Sequence, residues 1–199
     1  CDLFGVMLTP AWARRNTPEV AACDYQGKRR DDQAWQLAPA LFEAIDSDAR
    51  FGGIAGHEVD MFADADNWQL PVFWSRWRCR GSAGLDAFAQ DWADKRLFAN
   101  PPFVLIARVV AEARRREVAI TLVCQWDPQR LWWPVVQPDA PEAVAWRRVP
   151  ADARNYLVEG EPLLRAPKAD VYVVRLDFTL QRQECSLRAA ALRRVQRRR

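Results

Sequence analysis

The amino-acid sequence predicts an α/β domain built on a mostly parallel open sheet, and three neighbouring observations carry that expectation. Arg96-Leu97-Phe98-Ala99 is a short apolar strand that must stop by Asn100, because Pro101 and Pro102 cannot donate to a ladder. Leu105, Ile106, Val109, Val110 and Ala113 then share one helical stripe, with Glu112, Arg114, Arg115 and Arg116 on the opposite side. Val118 to Cys124 is a continuous apolar run of strand length, as expected of an inner parallel strand. Strand, helix and strand within about thirty residues make a βαβ unit.

The remaining elements follow in chain order. Residues 9 to 35 are rich in Pro, Arg, Asp and Gly and read as a linker. From Leu37 the pattern turns helical: Leu41, Phe42, Ile45 and Ala49 recur at helical spacing, Pro39 suits a first turn, and Gly52-Gly53 supplies a stop. Glu58 to Ala63 reads as a buried strand running into the polar Asp64-Ala65-Asp66-Asn67. Pro71 to Trp74 suggests a second strand, and Gly81 to Gly84 a turn. After the βαβ unit, Leu131 to Val136 begins a short helix or turn, and residues 137 to 170 read as a proline-containing loop region. Val171 to Phe178 alternates enough for an edge or returning strand, and Leu187, Ala191, Leu192 and Val195 suggest a helical tail. The expected organisation is a preceding segment over 1–35, an α/β domain over 36–182 and a basic tail over 183–199.

Composition narrows the function classes. Half of the 199 residues are hydrophobic and 28% are charged, which suits a packed core and opposes wholesale disorder. No apolar run approaches the roughly 18 residues of a membrane span, so no membrane partner is expected. The formal charge of +3 conceals a division, because six arginines fall in the last twelve residues; taking them away leaves −3 for residues 1 to 187. The tail, with Arg193 and Arg194, reads as a solvated helix end that can also gather phosphates. Five cysteines at wide spacing form no C-x-x-C pair, which points to a reducing, intracellular setting and to neither a disulfide framework nor a metal site. His57, the single histidine, has no nucleophile signature around it and reads as a loop residue ahead of a strand.

Open α/β sheets bind ligands at the carboxyl ends of their strands, which directs attention to Asp60 to Asn67, Asn100 to Phe103 and Gln125 to Asp127. Asn100-Pro101-Pro102-Phe103 is the sharpest of these. Two prolines fix the backbone and aim carbonyl oxygens outward, while Asn100 adds an amide with donor and acceptor. An amide oxygen and a proline carbonyl can accept the two hydrogens of an exocyclic amine as Phe103 stacks on its ring. The plainer reading of Asn100 is a turn residue ahead of a helix that tolerates proline at its start. Trp126 and Trp132, close to a strand end, are candidates for stacking on bases. Trp68, Trp74, Trp77 and Trp92 read as buried or half-buried, and Asp86 and Asp91 as solvated loop acids.

These residues resemble a known family. Phe42 through Trp132, with Val59 to Ala63, Asn67, Asp86, Trp92, Asn100 to Phe103, Leu122-Val123 and Asp127 to Trp132, is similar to the phage-type DNA adenine methyltransferase domain of DIRS-group tyrosine-recombinase retroelements. In those retrotransposon polyproteins the domain follows reverse transcriptase and ribonuclease H. Trp12 to Thr17, Cys23 to Tyr25, Asp31-Asp32 and Trp35 to Leu37 resemble the end of the ribonuclease H segment and its junction. The chain therefore reads as a piece of a longer one.

The resemblance implies a Rossmann-like, methyltransferase-type fold, DNA and other polyprotein domains as partners, and S-adenosylmethionine as methyl donor. Asn100, Pro101, Pro102 and Phe103 would hold a flipped adenine, and Asp60, Phe62 and Ala63 would border the donor. Many adenine methyltransferases carry a glycine-rich turn where this chain has Phe62-Ala63-Asp64. The alternative is a non-catalytic nucleic-acid-binding or structural module of the polyprotein.

Overall fold

A computed structural model describes residues 35–158, 161–162 and 168–179. Its elements are β1 (Gln36–Leu37), α1 (Pro39–Asp46), β2 (Val59–Asp60), β3 (Trp74–Ser75), β4 (Gly84–Leu85), β5 (Leu97–Ala99), α2 (Ile106–Arg116), β6 (Ala119–Gln125), α3 (Trp133–Val136), β7 (Ala143–Val149), β8 (Tyr156–Val158), β9 (Glu161–Pro162) and β10 (Val171–Asp177). Residues 1–34 of the segment expected over 1–35, and the tail expected over 183–199 with Arg193 and Arg194, lie outside the described residues.

The βαβ unit forms as the periodicity predicts. Strand β5 ends at Ala99, one 3₁₀ turn spans Phe103–Leu105, and α2 follows. Ile106, Val109, Val110 and Ala113 are buried on one stripe of α2, each contributing roughly 1–3 kcal/mol by burial. Its last turn carries Arg114, Arg115 and Arg116, which complement the helix dipole, and Glu117 ends it in the left-handed region at φ 55°.

The main sheet has five strands in the order β2-β5-β6-β10-β7. It is mixed rather than mostly parallel. The β2–β5 and β5–β6 ladders are parallel, whereas β10 runs antiparallel to both β6 and β7. Consequently β2, β5, β6 and β7 share one direction and β10 alone opposes them. The short parallel pair β3–β4 adjoins the free side of β2 through one parallel bridge, Asp60 to Phe73, and through the Ala63 N–H donating to the Trp74 carbonyl at 3.2 Å. A separate three-stranded sheet has the order β1-β8-β9.

Three expectations need correction. The region 137 to 170 holds the seven-residue strand β7 and the short β8, besides loop. Arg147 and Arg148 in the middle of β7 disguise it, since they sit on an outer strand where long cationic stems reach solvent. Val171 to Asp177 is an inner strand, not an edge, and Val173, Val174 and Leu176 are fully buried. The strand expected over 58 to 63 shrinks to Val59–Asp60 before the chain turns away.

The sheet separates two apolar layers. On one side Leu97, Ala99, Ile120, Leu122, Cys124 and Val174 pack with α2 and α3. On the other Phe98, Val123, Val171 and Val173 pack with Phe42 and Ile45 of α1 and with Leu37. Of the four tryptophans read as buried or half-buried, Trp74 and Trp92 are buried, while Trp68 and Trp77 are about half exposed.

Candidate functional site

The site is built from strand parity. Residues alternate faces along a strand, so Phe98 and Asn100 address the α1 side of the sheet, as does Asp60, which stands opposite Phe98 in register. The carboxyl ends of β2 and β5 therefore present Asp60 and Asn100 to the same layer.

Asp60 is 2% exposed. Its Oδ2 accepts a hydrogen bond from the Gln69 backbone N–H at 3.0 Å, while its buried Oδ1 makes no well-formed hydrogen bond among the described residues, the Phe62 backbone N–H lying only near enough to favour the charged form. Burial raises its pKa to about 7, outweighing the Gln69 and Phe62 backbone N–H groups that favour the ionised form. An orphaned buried carboxyl oxygen at a strand end is costly to maintain and marks a position where a donor fits.

Asn100 is half-buried. Its Nδ2 donates to the Trp35 carbonyl at 2.7 Å, which assigns Oδ1 as the remaining acceptor. Phe103 meets the Trp35 ring edge-on at 6.2 Å, and Trp35 lies 5.8 Å from Tyr156. Pro101 is buried and Pro102 exposed; the Pro102 carbonyl accepts from the Leu105 N–H at 2.8 Å and so belongs to the helix start. The motif thus serves both readings, as a turn before a helix and as a fixed polar cluster.

The segment Trp35–Leu37 closes the space between these groups. Besides the bond at Asn100, the Leu37 carbonyl accepts from Gln69 Nε2 at 2.7 Å, and Gln36 Nε2 donates to the Trp68 carbonyl at 3.4 Å. The hollow left among Trp35, Asn100, Phe103, Val123 and Tyr156 has room for about one water molecule. The hollow is too small for a purine ring.

The other expected residues lie away from that hollow. Phe62 packs on the α2 side against Phe88, with ring centroids 5.6 Å apart. Ala63 is buried, and its N–H is taken by Trp74. Trp126 is about half exposed but leans on Trp133 and Tyr172 at 4.5 and 5.1 Å; Trp132 packs partly against the core. Asp86 and Asp91 accept the backbone N–H groups of Phe88 and Ala93 and act as turn caps. Among the described residues no group of three or more His, Cys, Asp or Glu is placed to hold a metal ion.

Sequence reasoning missed the partners of His57. The ring is 6% exposed, its Nδ1 lies 2.6 Å from Asp46 Oδ1 and its Nε2 lies 2.8 Å from Thr121 Oγ1. The His57 backbone N–H also donates to Asp46 at 2.6 Å. Burial lowers the histidine pKa despite Asp46. Nδ1 faces the Asp46 carboxylate, while Nε2 abuts the Thr121 hydroxyl, which donates to the Phe51 carbonyl at 3.1 Å. Thr121 is fully buried, so this triad cannot reach a substrate and ties α1 and the approach to β2 onto β6. Only the fold brings together residues 11 and 64 positions apart.

No helix among the described residues is long and apolar enough to cross a membrane. Searches against protein-family models and curated proteins find no match to this chain.

Proposed function

We propose that this is a DNA adenine methyltransferase-like domain of the retroelement type, acting on the exocyclic amine of adenine. One observation carries the reading. From β2 the chain passes outward to β3 and β4, then returns to form β5 on the other side of β2. The crevice between the carboxyl ends of β2 and β5 is therefore a topological switch point, where open α/β sheets of Rossmann-like order bind their ligands. Asp60 and Asn100-Pro101-Pro102-Phe103 border that crevice.

S-adenosylmethionine supplies a methyl group already activated on a sulfonium, so the protein contributes positioning and charge. The residues fit it in one respect: Asp60 Oδ1 is a buried acceptor left unfilled among the described residues and suited to a donor hydroxyl or ammonium, although Phe62 packs on the opposite, α2 side of the sheet. Asn100 Oδ1 and the Pro101 carbonyl accept the amine hydrogens, which draws the nitrogen lone pair out of conjugation, and Phe103 stacks on the ring. Fixed acceptors of this kind lower a barrier through orientation and preorganisation.

A second reading, a non-catalytic module, is favoured by the closed crevice, since Trp35 occupies the donor face of Asn100. Titration calorimetry with S-adenosylmethionine separates the two. The enzyme reading expects saturable heat, followed by methyl transfer to adenine-containing DNA that Asn100→Ala reduces at least about 100-fold. No heat at millimolar ligand overturns it.

A further inference from the structure

We infer that the turn joining β3 to β4 is a nucleic-acid-binding surface that takes a strand with unpaired bases. The turn is pinned from beneath. Ser75, 1% exposed, places Oγ 2.5 Å from the Trp77 carbonyl and 2.7 Å from Ser82 Oγ, and Ser82 Oγ donates to the Gly84 carbonyl at 2.7 Å. The Ala83 N–H returns to the Phe73 carbonyl at 2.9 Å. Gly81 adopts φ +87° where a Cβ would lie 3.4 Å from the Phe73 ring, so this corner requires glycine.

Outward, the pinned turn presents Arg76, Trp77, Arg78 and Arg80, all exposed. The Arg76 guanidinium lies 4.9 Å from the Trp77 ring centroid, which fixes a cation beside an indole that is 54% exposed. Trp68, 47% exposed, stacks at 7° on Phe73, the same ring that Gly81 abuts. Asp64 and Asp66 stand nearby, and their charges help raise the pKa of the Cys79 thiol. The surface therefore offers indole faces interleaved with guanidinium groups on a rigid support. A nucleic-acid strand matches both at once, stacking bases on indoles and setting phosphates against arginines. Unpaired bases are specified because a base inside a duplex has no free face.

The surface lies at the carboxyl edge of the sheet, and the Trp68 carbonyl is bonded to Gln36 of the segment over the crevice. It rests on the adenine-modifying reading only for its purpose, not for its binding. The test is fluorescence anisotropy of the full chain with a labelled twelve-nucleotide single-stranded DNA and no methyl donor. Trp77→Ala is expected to weaken binding about ten-fold. Arg76→Ala and Arg80→Ala are each expected to weaken it and to lower the salt slope by about 0.7. Circular dichroism and melting unchanged in the variants confirm folding. Equal binding by parent and all three variants overturns the proposal. Equal displacement by a polyglutamate peptide overturns it in favour of an acidic protein partner. Tight oligonucleotide binding without methyl transfer counts against the enzyme reading alone.

Discussion

Strand β2 is flanked by a buried polar group at each end, and the two are treated in opposite ways. Before the strand, His57 has both ring nitrogens paired, to Asp46 and Thr121. At its carboxyl end, Asp60 keeps one buried oxygen without a partner among the described residues. Both lie between the sheet and the layer that includes α1, so burial alone does not separate them. Satisfaction does: a fully paired network specifies a core, whereas an unpaired buried acceptor costs stability until a donor fills it. The amino end of β2 is fully paired, and its carboxyl end keeps an acceptor unfilled among the described residues.

The comparison is sharpened first by pH. In the folded chain Asp60 keeps its proton to about pH 7, against 3.8 for an ordinary carboxyl. Between those values the folded state binds more protons, so this group's contribution is greatest below pH 4, declines as pH rises to 7 and is level above. Across that window the stability of the parent relative to Asp60→Asn should fall by an amount on the order of 4 kcal/mol in urea unfolding. Parallel curves would remove Asp60 from the comparison. His57 gives the opposite slope: its folded pKa lies below 6.5, so its contribution is lost as pH falls below 6.5 and the unfolded state takes up the proton.

Next in size is His57→Ala, which leaves Asp46 and Thr121 without their ring partner and opens a cavity beside Phe98. A loss of about 3 kcal/mol in urea unfolding is expected, with the pH slope below 6.5 removed as well. A loss within error would show that the triad does not hold the amino end.

Smaller again is Asn100→Asp, which sets a carboxylate against the Trp35 carbonyl in place of an amide donor. The Leu37 backbone amide should then exchange with deuterium about ten-fold faster, a change of about 1.4 kcal/mol in local opening. Unaltered exchange would mean that Asn100 does not fasten the covering segment. At the bottom of the scale, Arg154→Ala breaks a pair with Asp152 at the surface, and no change in the unfolding midpoint is expected.

Local pattern made the centre of the molecule legible and long-range pairing hid the rest. The βαβ unit was readable because the apolar spacing of α2 and the prolines after Asn100 act within a few residues. Strand β7 was not, because Arg147 and Arg148 interrupt its apolar run and only an outer position excuses them. The inner place of β10 was equally hidden: its run was read as an edge or returning strand, and only the pairing shows that it returns between β6 and β7. At the site, Asn100 and Asp60 were found through their places at strand ends. The pairing of His57 and the closure by Trp35 were not, since each joins residues far apart in the chain through contacts that leave no local signature.

The insertion of β10 between β6 and β7 has a consequence for synthesis. Strand β7 leaves the ribosome more than twenty residues ahead of the partner that attaches it to the sheet. Until Val171–Asp177 emerges, β6 shows a bare hydrogen-bonding edge and β7 has nowhere to dock. A nascent chain in that state is a template for mispairing, so chaperone demand should rise between the emergence of β7 and that of β10 and fall once Val171–Asp177 pairs with both neighbours.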